Sequence, residues 1–311
     1  MKRYLLLFLI GLIVVSVSCK KEGCNCNKED ENLKRIYILN TGDIHEMSYF
    51  LPKVAHFIKK FRQEHENVLV FDAGDRFTWW PTYNFYYENG TVDTVITDLK
   101  SLHTNGEAIL EVLNMIGYDA MIFGNHSWVY TMDTLIMRIN EFNLPILSCN
   151  IIYPTNISAK SSEVFSFGEV RIGVVGVTTG DKDHVQPGDS LDVGSPTSQF
   201  VVNEINTLQN VSDLVVLMTH EPDNTDELSV YTLQGFDILI GGHSHNALNN
   251  VIIGKIMTKA GLAGMYVGIS EIIWDVKKDK LAGFDYYVKY MVDYPYEDEE
   301  VKAKIDGMLN K

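Results

Sequence analysis

The chain has 311 residues, 46% of them apolar, and carries 26 basic against 41 acidic side chains for a formal charge of -15. That is enough apolar material for a substantial core in one large domain or two, and it excludes a disordered chain. The acidic balance argues against binding to a nucleic-acid backbone and against adhesion to anionic lipid through charge alone.

Lys2 and Arg3 precede an apolar run from Tyr4 to Val17, which reads as a secretory signal rather than a membrane-spanning helix. Ser16 and Ser18 ahead of Cys19 resemble a bacterial lipoprotein cleavage site. This implies a signal over residues 1–18, lipid on Cys19, and an exported protein anchored to a membrane, on its periplasmic face or at the cell surface. Residues 19–33 are polar and acidic and read as a flexible tether. Cys24 and Cys26 lie in it with a spacing poor for a mutual disulfide, and Cys149 follows an apolar run and reads as a buried small side chain.

Beyond the tether the first strand covers Lys34 to Asn40, and Leu51, Val54, Ala55, Ile58 and Phe61 then recur at helical spacing with Pro52 in the first turn. Val68 to Phe71 reads as the next strand, so a parallel crossover is expected. The segment Phe77 to His103 is rich in aromatics, with Asn89-Gly90 as a hairpin signal. Trp79, Trp80 and Tyr83 in it are candidate substrate contacts, or ordinary packing. Gly106 to Ile116 reads as a helix leading to a central strand that ends at Phe123, and a further helix covers about Thr131 to Phe142. Val164 to Phe167 and Val170 to Val177 form an antiparallel pair. Thr178 to Ser195 is polar and Gly-rich, a loop in which His184 reads as solvated. Leu214 to Met218 and Ile238 to Ile240 are strands. After them Val251 to Ile253, Ile256 to Lys259, Tyr266 to Ile269, Ile272 to Val276 and Phe284 to Met291 read as short hairpin strands of a second, largely antiparallel face. An acidic helix closes the chain.

Five of these strands hand over to metal-binding residue types: Gly42-Asp43-Ile44-His45, Gly74-Asp75, Gly124-Asn125-His126, Thr219-His220 and Gly242-His243-Ser244-His245. An open α/β sheet places its ligand site at such strand ends. Carboxylate, imidazole and amide groups on a rigid scaffold suit divalent transition ions. Asp43 with His45, and His243 with His245, sit two apart and can face one ion, while Asp75 can bridge two. The glycines permit tight turns or close backbone approach. Any one Asp or His in a loop is an ordinary turn former or cap, and His56, His65 and His103 read that way. Five ordered matches in one chain are not so easily dismissed.

Taken together these blocks resemble the calcineurin-like metallophosphoesterases, and Asn114 to Ala120 ahead of Gly-Asn-His resembles their secreted 5′-nucleotidase branch. The resemblance implies a four-layer αββα sandwich of two mixed sheets, residues 34–311, with a dinuclear site at the strand ends. It implies that Asp43, His45 and His245 hold one divalent ion and Asn125, His220 and His243 another, with Asp75 between them. The ions are manganese, zinc or iron, which these donors do not distinguish. His126 corresponds to the histidine that stabilises the transition state or protonates the leaving oxygen. The implied activity is hydrolysis of a small phosphate ester, such as a nucleotide, by a metal-activated water.

Two departures qualify this. Where that branch has an Asp to orient the histidine, this chain has Val129, which cannot accept a hydrogen bond from His126. The branch also carries a C-terminal domain that grips the base, which is not read in these residues, so nucleotide specificity is not implied. The rival expectation is a lipoprotein that binds phospho-ligands or glycans without turnover. The retention of all seven proposed ligands favours an enzyme.

Overall fold

Alternation along the strands decides the architecture. In β1 (Leu33–Thr41), Ile36 and Ile38 enter one apolar core while Tyr37 and Leu39 enter another. A strand buried on both faces belongs inside a layered sandwich. The computed structural model describes residues 32–80 and 98–310, with the backbone of two short strands between them. The signal, Cys19, Cys24, Cys26 and the Asn89-Gly90 turn lie outside the described residues.

In chain order β1 is followed by α1 (Leu51–Glu64), β2 (Val68–Asp72), β3 (Thr82–Tyr86), β4 (Val92–Ile96), α2 (Glu107–Ile116), β5 (Ala120–Ile122), α3 (Met132–Glu141) and β6 (Ile146–Leu147). Next come β7 (Ile151–Tyr153), β8 (Ser162–Phe167), β9 (Val170–Val177), β10 (Asp192–Val193), α4 (Gln199–Gln209), β11 (Leu214–Thr219), α5 (Asp223–Thr232) and β12 (Ile238–Gly241). The remainder holds β13 (Ala247–Ile252), β14 (Lys255–Ala260), β15 (Tyr266–Asp275), β16 (Lys280–Tyr290) and α6 (Glu299–Leu309).

One six-stranded sheet has the order β16-β15-β1-β2-β5-β6 and the other β13-β14-β12-β11-β9-β8. Their central strands are parallel, and the antiparallel pairings lie toward the edges. Ile36, Phe71, Ile122, Val174, Val216 and Ile240 fill the space between the sheets. The outer face of the first sheet packs on α1, α2, α3 and α6 through Leu39, Val54, Ile109, Leu135 and Val301. The outer face of the second packs on α4 and α5 through Val175, Leu217, Val201 and Val230. This is the expected αββα sandwich of two mixed sheets.

Two expectations need correction. The strands after residue 246 do not build a separate antiparallel face. The β13–β14 hairpin extends the second sheet, whereas β15 pairs with β1 and carries β16 onto the first. Tyr266 to Asp275 is also one unbroken strand, because Ser270 and Glu271, the polar pair that divided it in the sequence, both pair within the ladder. The helices α4 and α5 were not read from the sequence.

Candidate metal centre and active site

The C-terminal ends of β1, β2, β5, β11 and β12 come together at one edge of the sandwich. The loops after β1 and β2 are laced by main-chain bonds, from Asp43 N to Gly74 O at 2.9 Å and from His45 N to Asp75 O at 2.9 Å. Asp43, His45, Asp75, His243 and His245 all have left-handed backbone, with φ of 53°, 52°, 54°, 74° and 60°. For residues other than glycine such conformations cost on the order of 1–3 kcal/mol each and persist only where the surroundings hold them. Gly124 is required for space rather than for its dihedrals: a Cβ there would lie 2.1 Å from Asp75 Oδ1 and 2.7 Å from His220 Nε2.

The side chains converge. His45 Nε2 lies 3.1 Å from His245 Nε2, 3.9 Å from Asp43 Oδ1 and 4.0 Å from Asp75 Oδ2. His220 Nε2 lies 3.1 Å from Asp75 Oδ2 and 3.8 Å from Asp43 Oδ1. His243 Nδ1 meets Asn125 Oδ1 at 3.1 Å, and its backbone N–H donates to Asp43. Asp43, His45 and His245 thus form one group with ligand atoms mutually within 4.8 Å, Asp43, Asp75 and His220 a second, and His45, Asp75 and His126 a third. Asp43, His45 and Asp75 each belong to two of them.

The donor set fits divalent cations. His45 Nδ1 faces the Phe77 carbonyl at 3.1 Å and His220 Nδ1 faces the Ala73 carbonyl at 2.6 Å. A carbonyl only accepts, so each ring carries its proton on Nδ1 and turns the Nε2 lone pair inward. With the ring neutral, the buried His220 Nε2, 3.1 Å from Asp75 Oδ2, sets acceptor against acceptor. Positive charge resolves that conflict. Without a cation protons supply it: burial pushes the Asp43 carboxyl up to about 8. Burial opposes charge on His220, but Asp75 and Asp43 outweigh it and draw the ring up to about 9.

His126 stands beside this cluster. Its backbone N–H donates to Asp75 Oδ1 at 2.8 Å, and its ring centroid is 4.7 Å from His45 and 4.7 Å from Trp80. Burial, the largest influence, lowers its pKa to about 4, so the ring is neutral near pH 7. Val129 is buried in the first core and offers His126 nothing, and the ring's Nδ1 has no hydrogen-bond partner. His184 is the surprise. Read as solvated rather than a ligand, it is half-buried and belongs to none of the three ligand groups, yet its ring lies 4.1 Å from that of His126. Its loop is drawn back because Gln186 Nε2 donates to the Trp128 carbonyl at 3.4 Å and Asp189 accepts from the first residue of α3. Trp79 and Trp80 border the same place, and the Tyr83 side chain lies outside the described residues.

A family model described as calcineurin-like phosphoesterase matches residues 36–247. The chain belongs to this family. Among curated relatives it is similar to the 5′-nucleotidase of Mus musculus, 28% identical over 80% of this chain and 45% of that protein. It is also similar to the trifunctional nucleotide phosphoesterase protein YfkN of Bacillus subtilis, 24% identical over 92% of this chain and 21% of that protein. The chain therefore spans less than half the length of these relatives. Among solved structures, a 5′-nucleotidase precursor from Thermus thermophilus superposes with a TM-score of 0.75 at 19% identity, covering 89% of this chain and 59% of that one. The calcineurin-like phosphoesterase YfkN from Bacillus subtilis gives 0.71 at 18%, covering 89% and 97%. These likenesses establish the fold.

Around the centre of this calcineurin-like chain, two buried cations brace the ligand loops. Lys259 Nζ binds the carbonyls of Glu221 at 2.7 Å and Gly242 at 2.9 Å, and the carboxylates of Asp223 at 2.9 Å and Asp226 at 2.8 Å. Each carbonyl adjoins a histidine, His220 or His243. Arg76 Nη1 binds Asp72 Oδ1 at 2.6 Å and the Ile122 carbonyl at 2.9 Å, tying the Asp75 loop to the end of β5. Neither was singled out in the sequence. The one signal was a lysine inside an otherwise buried strand.

Proposed function

We propose that the protein is a dinuclear metal-dependent phosphoesterase acting on a small phosphate monoester. The observation that carries this is the convergence of Asp43, His45, Asp75, His220 and His245 on one buried edge, with ligand atoms close enough to share a cation. Asp43, His45 and His245 would hold one divalent ion and Asn125, His220 and His243 the other, with Asp75 between them. Bound there, two ions supply Lewis acidity and an ionised water for in-line attack on phosphorus. The chain's own part is positioning. Carbonyls fix the tautomers of His45 and His220, the laced loops hold the carboxylates, and neutral His126 offers a hydrogen-bond donor to charge developing on the leaving oxygen.

The unpartnered Nδ1 of His126 favours a second reading, a protein that binds a phosphate ester and metals without turnover. Hydrolysis of p-nitrophenyl phosphate and bis-p-nitrophenyl phosphate by manganese- or zinc-loaded protein separates the two. The expected result is turnover preferring the monoester, falling about 10²- to 10⁴-fold in His126→Ala. Tight metal binding with no turnover of either compound supports the second reading.

We further propose that the protein is exported and held at a membrane by lipid on Cys19, with residues 19–33 as tether and 34–311 as the catalytic domain. The protein from expressing cells should partition into Triton X-114, and Cys19→Ser should move it to the aqueous phase. Aqueous partition of the unaltered chain would contradict the anchor.

A further inference from the structure

We propose that Trp79 and His184 form a slot for a planar aromatic group on the leaving side of the phosphate ester, an inference that rests on the phosphoesterase reading above. Trp79 is 56% exposed, although a ring of that size is ordinarily well buried. Its ring and that of His184 lie 24° from parallel with centroids 6.3 Å apart. A flat guest sits about 3.5–4 Å from each face it touches, so the exposed Trp79 ring opens the pair around one by turning on its side-chain bonds. Trp80 stands nearly perpendicular to His184, at 85° and 6.5 Å, and makes a third wall.

The slot is placed to act on the substrate. His184 is 4.1 Å from His126 and Trp80 is 4.7 Å from it, so the aromatic walls begin at the side chain assigned to the leaving oxygen. A group attached to that oxygen has to run past them. The walls are π faces, which select flat apolar or heteroaromatic rings and tolerate differences in ring edge. An aryl or nucleobase-bearing ester satisfies this, and an aliphatic sugar or glycerol phosphate does not. His184 reaches the slot through the anchored loop at Gln186, which explains why a polar segment without periodicity folds back over the centre.

The test compares AMP, which presents a purine, with ribose 5-phosphate, which presents none, in wild type, Trp79→Ala, His184→Ala and His184→Phe. Adenosine binding to the same metal-loaded proteins is measured by calorimetry, independent of turnover. Each alanine variant should lower the ratio of kcat/KM for AMP over ribose 5-phosphate about tenfold, through KM, and weaken adenosine by a similar factor, with recovery in His184→Phe. A parallel fall with p-nitrophenyl phosphate as substrate identifies a slot for any flat ring, and a fall with AMP alone identifies a nucleobase slot. An unchanged ratio, or adenosine binding that ignores Trp79→Ala, overturns the proposal. Adenosine binding that depends on Trp79 in a metal-loaded protein hydrolysing neither these esters nor p-nitrophenyl or bis-p-nitrophenyl phosphate keeps the slot and rejects the phosphoesterase reading.

Discussion

At Gly124 one hydrogen atom separates an assembled metal centre from a blocked one. Its Cα hydrogen occupies the space where a Cβ would meet Asp75 Oδ1 at 2.1 Å. Its backbone is extended, with φ of -110°, so alanine is tolerated conformationally and fails only by contact. Gly124→Ala should therefore leave far-UV circular dichroism unchanged while metal content per chain drops below that of the wild type. Full metal occupancy in the variant would show that Asp75 can retreat without loss. The chemistry of single residues was largely legible. The proposed ligands Asp43, His45, Asp75, Asn125, His220, His243 and His245 all lie at this edge, because an apolar run ending in Gly and a donor leaves little choice of location. His184 was not legible: it sits in a polar loop with no periodicity, and the distant bonds from Gln186 to Trp128 and from Met132 to Asp189 bring it in.

At the scale of elements, the centre is held by loops that are themselves held from behind. Lys259 at the end of β14 grips the residues after His220 and before His243, so one buried ammonium sets the spacing of two histidines in the loops after different strands. Lys259→Met should weaken metal binding about 10- to 100-fold, the usual effect of removing a group that orients ligands. The change also strands the buried Asp226 carboxylate, so the double variant with Asp226→Asn is measured beside it. Wild-type affinity in that folded double variant would assign Lys259 to stability alone. The sequence hid this clamp because its partners lie 33 and 36 residues away, at Asp226 and Asp223. Sheet membership was hidden for the same reason. The β15–β16 hairpin is local, but its attachment to β1 joins the two ends of the chain, which hairpin spacing cannot report. The amphipathic helices α1, α2 and α3 were readable by their spacing, whereas α5 carries only Val230 as a buried large apolar side chain.

On the scale of the whole molecule, a chain of formal charge -15 brings buried carboxylates and inward-facing lone pairs to one edge. Such a centre gains from any cation that enters in place of protons, so metal binding and stability are linked. Free metal at 100 times its Kd should stabilise the fold by about 2.7 kcal/mol, visible as a rise in Tm that chelation reverses. The most direct test of the two-metal centre is metal content, Tm and p-nitrophenyl phosphate turnover measured together on wild type and Asp75→Asn. Two divalent ions per wild-type chain, a metal-dependent rise in Tm, and turnover reduced at least about 100-fold in Asp75→Asn are predicted. Turnover that survives both chelation and Asp75→Asn would contradict a phosphoesterase built on this centre.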